Sequence, residues 1–238
     1  AIKFREDALS AFRLGYIRLN QRAMAEQLSW TCAKEISARL PNNEPIHDDL
    51  RGLQRALAWT YYANLSIFRS APDTWAIDQL FPVMPIHRLN EWPSELGQFA
   101  DLTCDSDGKL SRFIDGGSEK ALLELHSLNE DEPYWIGMFL GGAYQEVMGN
   151  LHNLFGSTNA VHVRLNPRGK GYLLDHVVRG HTNADVLEEM QHNPDLILER
   201  LRQASETAIQ QGTLQIEDAR LLMSHLRASL DQTTYLEG

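Results

Sequence analysis

The stretch Ala160-Val161-His162-Val163-Arg164-Leu165-Asn166-Pro167-Arg168-Gly169-Lys170-Gly171-Tyr172-Leu173-Leu174-Asp175-His176-Val177-Val178 puts a β-hairpin into a chain whose two ends read as helix. Val161, Val163 and Leu165 alternate with polar residues, which is the period of a strand and not of a helix. Asn166-Pro167-Arg168-Gly169 supplies the turn, and Tyr172–Val178 is the returning strand. Upstream, strand-like runs appear at Gln98–Thr103 and Tyr134–Leu140, and Pro72, Pro82, Pro85 and Pro93 interrupt any long helical period. One helix, from about Ala143 to Phe155, falls among these strands.

On the N-terminal side, residues 5 to about 70 read as helical. Leu9, Phe12, Tyr16, Leu19 and Ala23 recur at helical spacing, and Met24, Leu28, Cys32, Ile36 and Leu40 continue it, with Cys32 as a buried small apolar residue. Pro41-Asn42-Asn43-Glu44-Pro45 breaks this helix, and a second carries Leu50, Leu53, Leu57, Tyr61 and Leu65. After the hairpin, Asn193-Pro194 starts a helix with Ile197, Leu201, Ala204 and Ala208 on one face. Gly212 closes it, and Ala219, Leu222 and Leu226 mark another. The expectation is an α+β chain: a helical hairpin or bundle over residues 1–70, a β-rich sandwich- or barrel-like domain over 71–180, and C-terminal helices over 181–238.

Composition narrows the function. A chain of 238 residues that is 43% hydrophobic can bury one large core or two smaller ones. Its net charge of −10 argues against nucleic acid or an anionic membrane as a main partner. No apolar run approaches the roughly 18 residues of a membrane span. Two cysteines in unlike settings form no disulfide framework, so a reducing cytoplasm is the simpler setting. The first residue is Ala1, within residues that read as helix, which suggests a piece of a longer protein.

Thr103-Cys104-Asp105-Ser106-Asp107-Gly108 places a thiol beside two carboxylates in a turn at a strand end. Negative charge disfavours a thiolate, so Cys104 suits a proton donor better than a nucleophile. Asp105 and Asp107 suit a cationic substrate, for which a guanidinium is the natural bidentate partner. A calcium loop fails, because Thr103 and Ile114 would fall where Asp and a bidentate Glu are required. The plainer alternative is an Asp-Gly turn with no chemistry. Gly141-Gly142 lies between the run Tyr134–Leu140 and a helix-like segment, a junction that suits phosphate, with Tyr144 as a hydroxyl donor. Alternatively, the glycines only turn a corner. Nine histidines show no HExxH, no CxxC exists, and no GxSxG elbow supports a hydrolase; His87 and His152 read as structural.

Taken together, several ordered blocks resemble biosynthetic arginine decarboxylases. They are residues 72–82, Met84-Pro85-Ile86-His87-Arg88-Leu89, Thr103–Gly108, Gly142-Ala143-Tyr144-Gln145-Glu146, Asn150–Gly156 and Thr234-Tyr235-Leu236-Glu237. The resemblance implies the C-terminal part of a pyridoxal 5'-phosphate enzyme of the alanine-racemase-like fold type, which turns L-arginine into agmatine and carbon dioxide for polyamine synthesis. It implies that Cys104 protonates the substrate carbon across the interface of a homodimer or higher homo-oligomer. Asp105, with Asp107 as a second partner, would meet the distal cation, and Tyr144 the cofactor phosphate. The cofactor lysine belongs in the family to an N-terminal barrel of roughly 250 residues, for which this chain has no room. Lys3, Lys34, Lys109, Lys120 and Lys170 sit in no such motif, so the chain alone is expected to be inactive. Mg2+ is associated with the family, but the sequence displays no site for it. Other readings are a binding or regulatory module, or a decarboxylase of ornithine, diaminopimelate or carboxynorspermidine.

Overall fold

A computed structural model describes residues 2–39, 48–130 and 132–237. The first quarter carries three helices: α1 (Ile2–Arg13), α2 (Leu19–Ser37) and α3 (Asp48–Leu57). α1 and α2 pack together, with Arg5 over the Trp30 ring and Arg22 over the Phe12 ring, both at 5.1 Å. The break comes at Gly15, whose φ of +77° turns the chain between them.

β1 (Trp59–Tyr62) opens the β-rich centre and is followed by two short helices, α4 (Ile67–Ser70) and α5 (Asp73–Ala76). Then come β2 (Val83–Pro85), β3 (Glu95–Ala100), β4 (Lys109–Leu110), β5 (Phe113–Asp115), β6 (Ser118–Lys120), β7 (Leu123–Leu125) and β8 (Ile136–Met138). β3 is central: β1 pairs with it in parallel, and β4 and β7 pair with it antiparallel. β2–β8 and β5–β6 are two-stranded ribbons. The strands do not close into a barrel among the described residues. Tyr61, Phe99, Phe113, Leu123 and Leu125 form the core, edged by Val83, Leu110, Tyr134 and Ile136. A fully buried side chain such as Phe113 contributes about 2–3 kcal/mol. Tyr61 enters this core with a partner, its hydroxyl donating to the His126 carbonyl at 2.9 Å, and burial pushes its pKa up to about 12.

α6 (Tyr144–Met148) and a 3-10 turn at His152–Leu154 lead into the hairpin of β9 (Ala160–Leu165) and β10 (Tyr172–Val178). This hairpin is as the sequence implies, including an Asn166 turn closed by its own side chain, which accepts from Arg168 N–H at 3.0 Å. α7 (Asn183–Glu189), α8 (Pro194–Gln210) and α9 (Ile216–Asp231) complete the chain. Asn193 caps α8 by accepting from Leu196 N–H at 3.0 Å, with Pro194 in the first turn as expected.

Several expectations are corrected. The helix expected from about Ala143 to Phe155 ends at Met148, where Gly149 takes extended backbone at ψ 144°, and the helix expected to run on to the Pro41–Pro45 break is split at Gly15. The second N-terminal helix stops at Leu57; Tyr61 lies on β1, where it is the buried residue and Trp59, Thr60 and Tyr62 are exposed. In α2 the expected stripe is one residue out of phase. Met24, Leu28 and Ile36 are exposed, and the buried face is Ala25, Ser29 and Ala33, small residues that let α2 lie close to its neighbours. Cys32, beside that face, is consequently exposed, not buried. The helix break expected at Pro41–Pro45 lies outside the described residues.

Candidate functional site

The turn that follows β3 is built on Asp101. Its carboxylate is 3% exposed and accepts from three donors: Ile67 N–H at 2.8 Å on one oxygen, and Thr103 N–H at 2.8 Å and Thr103 hydroxyl at 2.6 Å on the other. A buried carboxylate is tolerable only when its oxygens are satisfied in this way. Asp101 N–H donates in turn to the Gly108 carbonyl at 2.8 Å, which closes the loop. Gly108 is required here, because a Cβ would lie 2.2 Å from Asp101 Oδ1 and 2.5 Å from Thr103 Oγ1. Between these fixed ends, Asp105 Oδ1 accepts from Asp107 N–H at 2.9 Å, and Gly108 N–H donates to the Asp105 carbonyl at 3.0 Å. The structure therefore brings Cys104, Asp105 and Asp107 together on one braced turn, with Cys104 exposed.

The segment Asn150–Gly156 forms a second wall. Cys104 N–H donates to Asn153 Oδ1 at 3.0 Å, and the Asn153 amide nitrogen lies 3.5 Å from Cys104 Sγ. His152 stacks on Phe68 with ring centres 4.4 Å apart and points Nε2 to within 3.7 Å of Asp105 Oδ2. Asn153 and Leu154 both adopt left-handed backbone, at φ 53° and 64°, so this wall is held in shape by its surroundings. Arg69 supplies one brace, donating to the Gly149 carbonyl at 3.0 Å and to Ser157 Oγ at 2.6 and 2.9 Å. The C-terminal tail supplies the other. Thr234 Oγ1 accepts from Gly156 N–H at 2.9 Å, and Tyr235 Oη donates to the Gly156 carbonyl at 2.7 Å while its ring stacks on Phe155 at 5.3 Å. Burial pushes the Tyr235 phenol up to about 12.

Tyr144 opens α6 and is 71% exposed, and no hydrogen bond among the described residues links it to the Cys104 turn. The neighbouring Gln145 is buried and pins α6 to α5, donating to Asp73 Oδ2 at 2.5 Å and accepting from Asp73 N–H at 3.3 Å. A Cβ on Gly141 or Gly142 would meet nothing within 4 Å, so the space before Tyr144 is open. His87 Nε2 accepts from Trp135 N–H at 3.0 Å. Three residues escape a reading of the sequence as a site. Asp101 is hidden in a strand-like run, Asn153 in a loop motif, and Arg69 on a four-residue helix; only Asn153 carries a signal, its place in the block Asn150–Gly156.

Among the described residues, no three His, Cys, Asp or Glu side chains converge as a metal site. Likewise, no helix among them is long and apolar enough to cross a membrane.

The helical flanks match two family models, the arginine decarboxylase helical bundle domain over residues 1–54 and the arginine decarboxylase C-terminal helical extension over residues 184–236. These flanks lie on either side of the mixed-sheet centre. The whole chain is 71% identical to the biosynthetic arginine decarboxylase of Prochlorococcus marinus (strain MIT 9313), of which it covers 37%. It is 50% identical over 238 residues to that of Nostoc sp. (strain PCC 7120 / SAG 25.82 / UTEX 2576), covering 35%. The crystal structure of the biosynthetic arginine decarboxylase SpeA from Campylobacter jejuni superposes with a TM-score of 0.79 at 30% identity, over 99% of this chain and 36% of that one. The chain belongs to the biosynthetic arginine decarboxylase family, and it spans a little over a third of the length of the curated relatives it matches.

Proposed function

We propose that this chain supplies the proton donor and the substrate carboxylates of an arginine decarboxylase, which converts L-arginine to agmatine and carbon dioxide on the route to spermidine and other polyamines. The observation that carries the reading is the turn itself: an accessible thiol and an adjacent carboxylate on a backbone fixed from below by Asp101 and from the side by Asn153. In this reading Cys104 gives its proton to the carbon that loses carbon dioxide. Asp105 takes the guanidinium, whose planar fork matches a carboxylate, and Asp107 is a second acidic contact. His152, within reach of Asp105, limits where that carboxylate can turn.

Pyridoxal 5'-phosphate would supply the electron sink for loss of the carboxyl group. The residues present fit its phosphate in part, since Tyr144 offers an exposed hydroxyl beside two glycines with open space before them. The lysine anchor and a barrel domain would belong to the remaining two-thirds of the family's length, and the three-part division at residues 70 and 180 is part of the same proposal. We place the protein in the cytoplasm as a homodimer or higher homo-oligomer, which fits its two free thiols.

Substitution of Asp105 in the holoenzyme tests the assignment. Asp105→Asn and Asp105→Ala should raise KM for arginine about ten- to a hundredfold, the weight of one charge-assisted hydrogen bond of ~1.5–3 kcal/mol. An unchanged KM would remove the carboxylate from the substrate site. Preferential turnover of ornithine in competition with arginine would move the reading to another basic amino-acid decarboxylase.

A further inference from the structure

We infer that Asn153 is a positioning residue for Cys104, fixing the thiol through one oriented carboxamide. The orientation of that amide follows from chemistry. Cys104 N–H can only donate, so the atom 3.0 Å away must be the Asn153 oxygen. The NH2 end of the same planar group is thereby turned toward Cys104 Sγ, at 3.5 Å. One side chain thus grips both the backbone and the sulfur of a single residue. An N–H aimed at sulfur holds the thiol in one rotamer and favours the thiolate left behind when a proton is given up. The titratable groups on this turn and beside it are Asp105, Asp107 and His152.

The grip depends on an unusual backbone. Asn153 sits at φ 53°, a conformation that asparagine tolerates better than most residues, and Leu154 follows at φ 64°. A longer amide, as in glutamine, could not keep both contacts from the same Cα position. The Phe155–Tyr235 stack and the Gly156 hydrogen bonds to Thr234 and Tyr235 hold the segment from its far side. The part-buried tail at Tyr235, 79 residues beyond Gly156, is thereby connected to the segment that grips the thiol.

This inference rests on Cys104 as the proton donor, but its test does not require turnover. In the holoenzyme without substrate, the pH dependence of Cys104 alkylation by iodoacetamide is followed by peptide mass spectrometry, which separates Cys104 from the exposed Cys32. Asn153→Gly accepts the left-handed backbone and removes the amide without adding charge. Its profile should move to higher pH, with alkylation near neutrality slowed about threefold or more. Asn153→Asp should move it further, because an acceptor replaces the donor. His152, Asp105 and Asp107 are present in all three proteins. A profile for Asn153→Gly that coincides with that of the parent would overturn the inference, and so would a shift confined to Asn153→Asp, which is charge repulsion alone. A shift in both variants of an enzyme that does not decarboxylate arginine would uphold the grip and sink the decarboxylase reading.

Discussion

Asp101 is the residue on which the turn depends, and it reacts with nothing. Its two oxygens accept from Ile67 and Thr103, tying the start of α4 to the loop that carries Cys104. Asp101→Ala should cost about 2–4 kcal/mol, because it strands two backbone N–H groups and a hydroxyl below the surface. Thermal unfolding measures this, and a loss under 1 kcal/mol would show that water replaces the carboxylate easily. The candidate residues were legible in the sequence because Cys104, Asp105 and Asp107 fall within four positions and are chemically conspicuous. Asp101, Asn153 and Arg69 were not, apart from Asn153's place in the block Asn150–Gly156, since their roles lie in contacts across 34 to 88 residues.

At the scale of elements, α7 shows how a cap responds to pH. Thr182 and Asp185 form a reciprocal capping box: Asp185 accepts from Thr182 N–H at 2.7 Å and from its hydroxyl at 2.8 Å, while Thr182 Oγ1 accepts from Asp185 N–H at 3.1 Å. The backbone donor first, and then the hydroxyl, hold the Asp185 carboxyl below the usual carboxylate range. A depressed folded value stabilises the fold above the unfolded pKa, and that contribution is lost as pH falls through the folded value. Thr182→Ala should therefore cost about 1 kcal/mol near neutrality, lowering Tm by about 2–4 °C, and the difference should shrink in acid. A deficit that stays constant down to low pH would assign the loss to packing of the buried Thr182 alone. Caps and the β9–β10 hairpin were readable from the sequence because turn residues act locally. The burial of α2 was not, since Ala25, Ser29 and Ala33 give a weaker apolar signal than the exposed Met24, Leu28 and Ile36 one residue away. β1 was missed because Leu57, Tyr61 and Leu65 happen to fall at helical spacing, although Trp59-Thr60-Tyr61-Tyr62 is a run of strand-favouring residues.

Over the whole molecule, large apolar side chains remain uncovered. Both strands of the hairpin expose theirs, among them Val163, Leu165, Tyr172 and Leu174, and Trp92 and Leu140 are nearly bare. An isolated two-stranded ribbon is marginal in water, and contiguous apolar surface of this kind favours association. The 238-residue chain expressed alone should therefore self-associate in sedimentation velocity, whereas a clean monomer at high concentration would mean that the surface is tolerated as it is. The α+β order was legible because the hydrophobic period changes twice along the chain; the uncovered surface was not, since apolar residues read as core whatever covers them. Function turns on whether Cys104 delivers the proton. The decisive measurement is product analysis of the Cys104→Ala holoenzyme with arginine. The expected result is arginine binding as in the parent and agmatine formation reduced by roughly 10²–10⁴, the usual weight of a positioned general acid. Agmatine formed at the parental rate and yield would show that the thiol on this turn is not the proton donor.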